Sequence, residues 1–206
     1  LVRSRLMEFK VGLTGGVASG KSTVTSLFHD KYHIDIIDAD RIAHTLLTID
    51  SDCYSEVVEA FGESVLLDNG EINRRYLRER IFHNDNDKQR LEKILHPAIR
   101  QQLFTQAASS TSAYCIMSVP LLIEVGIYKQ VDRVCVIDVS LEKQLERLQT
   151  RDNISMETAQ AMINSQCDRQ LRLQHADDII NNNDSVDSLA HQVAQLHELY
   201  LKFADK

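Results

Sequence analysis

The sequence predicts an α/β fold in which a five-stranded parallel sheet is flanked by helices. First, five short runs are almost continuously apolar and rich in β-branched residues, as in strands that helices cover on both faces. Second, helical patterns separate these runs, which favours right-handed β-α-β crossovers. Third, a glycine-rich segment joins the first run to the first helix. The runs are 9–14, 34–37, 114–119, 133–139 and, with a weaker pattern, 178–180.

The segments between these runs differ in character. Residues 41–112 have no strong strand pattern but three helical stretches, 55–61, 74–82 and 88–108, and the turn signal Asp68-Asn69-Gly70, so we expect a helical insertion. A second excursion, 147–175, is rich in Arg, Gln and Asp. The last helix begins after two capping candidates, Asp184 and Ser185, and carries one apolar stripe at helical spacing.

Composition narrows the class of protein. Of the 206 residues, 43% are hydrophobic and 26% charged, as in a globular domain. The net charge of −7 argues against a nucleic-acid-binding face. Four cysteines without zinc-ligand spacing indicate reduced thiols and a cytoplasmic protein. No apolar run approaches the roughly 18 residues of a membrane span, and residues 1–7 lack a secretory signal, so they are interpreted as an N-terminal extension.

Residues 15–22 fit the phosphate-loop pattern G-x-x-x-x-G-K-[ST] between a predicted strand and a predicted helix. Such a loop points its backbone N–H groups at phosphate oxygens, and the helix dipole adds positive potential. Lys21 would reach the β- and γ-phosphates, and the Ser22 hydroxyl would bind Mg²⁺. The alternative is a glycine-rich turn that only caps a helix. In its context, the pattern predicts a protein that binds a nucleoside triphosphate.

Other motifs narrow the class of phosphate-loop protein. The sequence has neither the N-K-x-D nor the D-x-x-G motif of GTPases. The third strand runs into Pro120 without the acidic residue that a motor or transporter ATPase would use for Mg²⁺. Asp138 ends the fourth strand but could equally cap the helix that starts near Leu141. A small-molecule kinase with a P-loop kinase fold is the remaining class.

An acidic pair, Asp38 and Asp40, directly follows the second predicted strand. Ligands of open α/β sheets bind outside the carboxyl ends of the strands, so these carboxylates are active-site candidates. A carboxylate there can accept the proton of an attacking hydroxyl. The alternative is that both aspartates cap the helix that starts near Arg41. We favour the cap for Asp38 and the functional role for Asp40.

Two arginines, Arg147 and Arg151, lie four residues apart on the predicted helix 141–152 and therefore on one face. Arginines brought in by a lid neutralise the charge of a transferring phosphoryl group and help to exclude water. The alternative is a solvated face that pairs with Glu142 or Glu146. The position after the fourth strand favours a lid.

His96 precedes Pro97, which could begin a new helix at its first position. His96 could contact a substrate phosphate or support the fold, and both interpretations stay open. We expect the other histidines at the surface.

Ordered blocks of sequence from about residue 9 to 200 resemble the dephospho-coenzyme A kinase family. The blocks are Thr14-Gly15-Gly16, Ser19-Gly20-Lys21-Ser22-Thr23, Ile37-Asp38-Ala39-Asp40, Arg75-x-Leu77-Arg78-x-Arg80-Ile81-Phe82, Leu95-His96-Pro97-x-Ile99, Val119-Pro120-Leu121-Leu122-x-Glu124, Gln149-x-Arg151-Asp152 and Asp178-x-Ile180-x-Asn182-Asn183. Two positions depart from the family: Ala18 stands where glycine is usual, and Asp184 follows Asn182-Asn183 where glycine is common.

The resemblance implies that the γ-phosphoryl group of ATP is transferred to the ribose 3′-hydroxyl of dephospho-coenzyme A. It implies a nucleotide-binding core (8–40, 113–146 and 176–206), a coenzyme A-binding insertion (41–112) and a lid (147–175). The implied catalytic residues are Lys21, Asp40 and Arg147, with Thr14 in the active site and Arg151 as a second lid candidate. Asp38 and His96 remain further active-site candidates from their positions in the sequence. The implied ATP-binding residues are Ala18, Ser19, Gly20, Lys21, Ser22 and Thr23. Asn182 and Asn183 would lie near the adenine.

Two other functions remain as alternatives. One is another P-loop kinase, acting on a nucleotide or a metabolite alcohol, and the other is a nucleotide-gated binding protein that turns over slowly. We expect no nucleic-acid partner and no membrane partner for any of the three functions. Nothing in the sequence indicates an oligomeric state.

Overall fold

The chain forms a five-stranded sheet of order β2-β3-β1-β4-β5, seen in a computed structural model that describes residues 9–206. The predicted N-terminal extension, 1–7, lies outside the described residues. The strands are β1 Phe9–Gly15, β2 Asp35–Asp38, β3 Tyr114–Ser118, β4 Arg133–Asp138 and β5 Asp178–Asn181. All five coincide with predicted runs to within about one residue, and the predicted α/β fold class is confirmed.

The central strand, β1, pairs in parallel with β3 on one side and with β4 on the other. Both Val11 and Leu13 of β1 are fully buried, as expected for a strand covered on both faces. Helices α1 (Lys21–Tyr32) and α9 (Val186–Ala204) share a core with the sheet, in which Phe28 of α1 stacks on Tyr200 of α9. This packing fixes the carboxyl end of β1, from which the phosphate loop emerges.

The described chain divides into two compact units. One comprises the described residues up to Ile37 together with Gln106–Lys206, and the other is Asp38–Thr105. The first also contains α6 Leu141–Asp152, α7 Met156–Asn164 and α8 Arg169–Gln174. The predicted helix 141–152 is confirmed.

The unit Asp38–Thr105 is helical and has its own core. It contains α2 Ala39–Leu46, α3 Asp52–Phe61, α4 Arg74–His83 and most of α5 Asp85–Ala108. Its core includes Val57, Phe61 and Leu77, with Leu91 and Leu95 of α5. The predicted turn at 68–70 is present, where Gly70 adopts φ +84° and an antiparallel bridge joins Leu66 to Ile72. The helical nature predicted for the insertion is confirmed.

The expectation that Pro97 could begin a new helix is wrong, because α5 runs through it without a break. A proline inside a helix removes one backbone hydrogen bond, here the one to the Lys93 carbonyl. The loss is tolerated in a 24-residue helix that buries Leu91 and Leu95 before the proline and Leu103 after it.

Two other expectations need correction. Asp138 does not cap α6, because the cap is Ser140, whose hydroxyl accepts from the Lys143 N–H. Not all remaining histidines lie at the surface: His197 is half-buried, with its ring stacked on Tyr32 at 4.1 Å between centroids and its Nδ1 2.8 Å from the Tyr114 hydroxyl. Because α9 packs on the sheet, that polar position faces inward.

The four cysteines are all free thiols, and Cys167 alone of them is not buried. Burial raises the pKa of the Cys135 thiol to about 12, which keeps it protonated and unreactive. Within residues 9–206, no helix combines the length and the apolar character that crossing a membrane requires.

Candidate active site

The phosphate loop connects β1 to α1 through two residues in the left-handed region of backbone conformation. Ala18 has φ +58° and Gly20 has φ +89°. The Ser19 N–H closes a turn by donating to the Gly16 carbonyl at 3.0 Å. Gly20 suits such a conformation at no steric cost, whereas Ala18 adopts it with a Cβ present. The predicted departure at position 18 therefore falls on a residue where glycine would be favoured.

The N-terminus of α1 differs from those of the neighbouring helices. Gly20 provides no side-chain cap, and the first turn holds no acidic residue. In contrast, α2, α3, α6 and α7 each begin with a capping residue whose side chain accepts from backbone N–H groups. These capping residues are Asp38, Ser51, Ser140 and Ser155, in that order. An uncapped helix start that follows a phosphate loop has the donors and the positive potential that suit a phosphate group.

The Ser19 hydroxyl adds a polar group inside the loop. Ser19 is 2% exposed, and within residues 9–206 its Oγ is the one buried side-chain nitrogen or oxygen without a hydrogen-bond partner. Leaving such a group unsatisfied costs about 1–3 kcal/mol. A hydroxyl can donate to a phosphate oxygen, so this group fits the triphosphate ligand that the motif predicts.

Two residues predicted for the site contact the carboxyl end of β3 and the turn that follows it. The Lys21 Nζ donates to the Ser118 hydroxyl at 2.8 Å, which brings the ammonium to the carboxyl end of β3. Thr14 is fully buried, and its hydroxyl donates to the Pro120 carbonyl at 3.0 Å. Thr14 thus links the end of β1 to the turn after β3.

Of the two predicted lid arginines, the structure brings one to the loop. The Arg147 guanidinium donates to the Ala18 carbonyl at 3.3 Å and to the Asn182 carbonyl at 3.0 Å. These bonds use two of its five N–H donors, so the others can bind a further anion. Arg151 instead forms a two-bond ion pair with Asp152, both bonds 2.7 Å, rather than with Glu142 or Glu146.

Three amide side chains that the motif does not include also contact the loop. The Gln144 amide donates to the Val17 carbonyl at 2.8 Å, and the Asn182 amide donates to the Ser19 carbonyl at 2.6 Å. Gln166 accepts from the Val17 N–H at 2.7 Å. For Gln144 the sequence carries one indication of its role: it is a polar residue on the buried face of α6, four positions before Leu148. Gln166 and Asn182 lie far from the loop in sequence, so residue spacing gives no indication that they contact it.

Beside Gly16 lies a small pocket, bordered by two further arginines that the prediction omitted. Arg169 pairs with Asp138 through two hydrogen bonds of 2.7 Å. Arg172 is 6% exposed and donates to the Cys167 carbonyl. Both arginines belong to α8, within the stretch 147–175 that the sequence marks as arginine-rich.

Three of the predicted residues, Asp38, Asp40 and His96, belong to the helical unit Asp38–Thr105. The Asp38 carboxylate caps α2 by accepting from the N–H groups of Asp40 at 2.9 Å and Arg41 at 3.0 Å. The favoured interpretation of Asp38 as a cap is confirmed, and the helix begins at Ala39 rather than near Arg41. Asp40 lies in the first turn with an exposed side chain, and His96 is exposed on α5.

Comparison with known proteins gives consistent matches. Residues 9–188 match the family model described as dephospho-CoA kinase. A dephospho-CoA kinase of Pasteurella multocida (strain Pm70) is 44% identical over 203 residues, 97% of this chain and 98% of its own. The solved structure of a dephospho-CoA kinase from Campylobacter jejuni is 30% identical with a TM-score of 0.71, covering 95% and 98% of the two chains. A shikimate kinase from Aquifex aeolicus vf5 shares the fold, at 16% identity and a TM-score of 0.53 over 92% of this chain and 96% of its own.

Proposed function

The chain belongs to the dephospho-CoA kinase family, and we propose that Lys21, Asp40 and Arg147 are the residues that carry its reaction. The reaction is the ATP-dependent phosphorylation of dephospho-CoA, the last step of CoA synthesis. The observation that carries the identity of the acceptor is the family match over residues 9–188. No observation favours the two alternative functions considered from the sequence.

On the ATP side, the phosphate-binding residues are Ala18, Ser19, Gly20, Lys21, Ser22 and Thr23. This assignment is supported by the uncapped start of α1 and by the partnerless Ser19 hydroxyl within the loop. Lys21 and Arg147 would place positive charge on the transferring phosphoryl group, whose equatorial oxygens carry most of the charge in the transition state. Mg²⁺ would be held by the Ser22 hydroxyl together with the ATP phosphates and would neutralise them.

On the acceptor side, Asp40 is the general base that takes the proton of the ribose 3′-hydroxyl. Its position two residues after the capping Asp38 supports this role, because the Asp38 carboxylate already accepts two backbone N–H groups. The exposed Asp40 carboxylate is accessible to a hydroxyl. We assign the insertion 41–112 to dephospho-CoA binding and 147–175 to a lid, with Thr14, His96 and Arg151 as further site candidates and Asn182 and Asn183 near the adenine.

The same proposal places the enzyme in the cytoplasm, without a nucleic-acid partner or a membrane partner. Four free thiols suit a reducing compartment. A net charge of −7 disfavours binding to nucleic acid or to an anionic lipid surface.

The roles of the residues are tested by ADP formation in the presence of dephospho-CoA. Asp40→Asn should lower kcat by about 10²–10⁴-fold, because a neutral amide cannot accept the proton. Lys21→Ala should lower kcat and weaken ATP binding, because the ammonium contacts the phosphates in both the ground state and the transition state.

Matched controls are available in the same elements. Asp52 lies, like Asp40, exposed in the first turn of a helix of the same unit, so Asp52→Asn should retain wild-type kcat. Lys31 lies in the last turn of α1, so Lys31→Ala controls for Lys21→Ala. If Asp40→Asn turned over as fast as Asp52→Asn, the assignment of the base would be wrong.

A further inference from the structure

We propose that Gln144 and Asn182 are positioning residues, which orient the peptide groups of the phosphate loop and thereby set the affinity for ATP. This inference rests on the proposed function, because it concerns how the same loop binds the triphosphate. Neither residue belongs to the phosphate-loop motif, and they lie 127 and 163 residues from their hydrogen-bond partners in the loop.

The carbonyls of three consecutive loop residues are each bound by a side chain from outside the loop. Gln144 donates to Val17, Arg147 donates to Ala18, and Asn182 donates to Ser19. Gln144 is 4% exposed and Asn182 6% exposed, so both amides act where water does not compete well.

The direction of a carbonyl fixes the direction of the next N–H group. No described peptide bond is cis, and in a planar trans peptide the C=O of one residue and the N–H of the next point in opposite directions. The bond from Gln144 to the Val17 carbonyl therefore turns the Ala18 N–H towards the opposite side of the loop. The bond from Asn182 to the Ser19 carbonyl does the same for the Gly20 N–H. These are N–H groups of the predicted phosphate cradle.

Two loop glycines, Gly16 and Gly20, independently support this role for Gln144 and Asn182. The two amide groups occupy the space that a Cβ at either glycine would need. A Cβ at Gly16 would lie 2.5 Å from the Gln144 Nε2, and a Cβ at Gly20 would lie closer still to the Asn182 Nδ2. Real Cβ atoms essentially never approach another atom below 3.0 Å. The Gln144 amide lies against Gly16 and the Asn182 amide lies against Gly20, so each amide packs directly on the loop backbone that it orients.

The test compares binding of ATP and of adenosine without any acceptor. Gln144→Met and Asn182→Leu keep side-chain volume but remove the donors, and Gln144→Ala and Asn182→Ala serve if the larger apolar side chains prevent folding. Each folded variant should bind ATP about tenfold or more weakly by calorimetry, because a loop N–H loses its orientation. Binding of adenosine, measured by ligand-observed NMR, should change by less than about twofold in the Gln144 variants, because adenosine has no phosphates for the loop to bind. In the Asn182 variants, which also alter a residue assigned near the adenine, the loss of affinity should be larger for ATP than for adenosine.

The matched control is Gln195→Met, at an exposed position of α9, where the Gln195 amide lies 3.2 Å from the Nε2 of the exposed His191. It should leave both affinities unchanged. Unchanged ATP affinity in folded Gln144 and Asn182 variants, or equal losses for ATP and adenosine, would overturn the inference. If wild-type protein bound ATP in the expected pattern but did not phosphorylate dephospho-CoA, the proposed function would fail while the inference stood.

Discussion

Ala18 shows how a single residue can carry strain inside a functional loop. Its φ of +58° lies in the left-handed region, where the Cβ of an L-residue approaches the following carbonyl and costs about 1 kcal/mol. Its carbonyl is fixed by Arg147, so the backbone cannot relax without loss of that bond. The loop keeps its conformation because its outward polar groups are held by residues of α6 and of the segment after β5.

Replacement of this residue gives a test of the strain. Ala18→Gly should raise the free energy of unfolding by about 0.5–1 kcal/mol, because glycine adopts this φ without strain. The conformational entropy that glycine adds to the unfolded chain reduces this gain. Ala194→Gly, inside α9, is the control with the opposite sign and should lower stability by about 1 kcal/mol. Urea denaturation measures both. A loss of stability in Ala18→Gly would show that the alanine methyl group packs favourably and that strain is not the dominant effect.

At this scale, local pattern predicted the residues whose roles depend on neighbours in sequence. Lys21 and the loop followed from one motif, and Asp38 followed from its position before a helix. Gln144 and Asn182 were not predicted as loop contacts, because their partners lie more than 100 residues away and only the folded chain brings them together. The ion pair of Arg169 with Asp138 was also missed, because its two residues lie 31 positions apart and meet only in the folded chain.

Among the helices, α9 is joined to both the sheet and α1 by one histidine. The His197 ring stacks on Tyr32 of α1 and is 2.8 Å from the hydroxyl of Tyr114 on β3. Burial lowers the pKa of His197 below its ordinary value of 6.5, because it disfavours the charged imidazolium in the folded chain. The stability that this histidine contributes to the folded chain therefore depends on pH.

The sign of this dependence follows from linkage. Below about pH 6.5 an unfolded histidine binds a proton that folded His197 resists, so its contribution is complete above that pH and is lost as the pH falls. The loss cannot exceed about 1.4 kcal/mol per pH unit for one proton. His197→Gln should therefore show a smaller drop in unfolding free energy between pH 7.5 and 5.5 than the wild type.

The exposed His191 of the same helix provides the control. His191→Gln should keep the wild-type slope of stability against pH. Equal slopes for the His197→Gln variant and the wild type would show that burial of this imidazole does not govern the acid sensitivity of α9.

Element boundaries were predicted well where periodicity is strong. The apolar runs gave all five strands, and α6 begins and ends at the predicted residues. The prediction that Pro97 begins a new helix was wrong. A proline is a common first residue of a helix, but here the buried residues Leu91, Leu95 and Leu103 stabilise α5 as one continuous helix. Tertiary packing decided where local propensity was ambiguous.

For the whole molecule, the sequence predicted a nucleotide-binding fold interrupted by a helical insertion. The described chain has one unit around the sheet and one around the helices of Asp38–Thr105, each with its own hydrophobic core. The sheet unit holds the loop, Lys21 and Arg147, and the helical unit holds Asp40. The general motif indicated only a nucleoside triphosphate, and the family match identified the acceptor.

The most direct test of the central claim is the release of ADP by the wild-type protein, with ATP and Mg²⁺, in the presence of dephospho-CoA, AMP or CMP. ADP formation should depend on dephospho-CoA and should match, one to one, the formation of CoA with its new 3′-phosphate. AMP and CMP should give no more ADP than ATP alone. ADP formed equally without dephospho-CoA, or faster with AMP or CMP, would contradict the assignment of the acceptor.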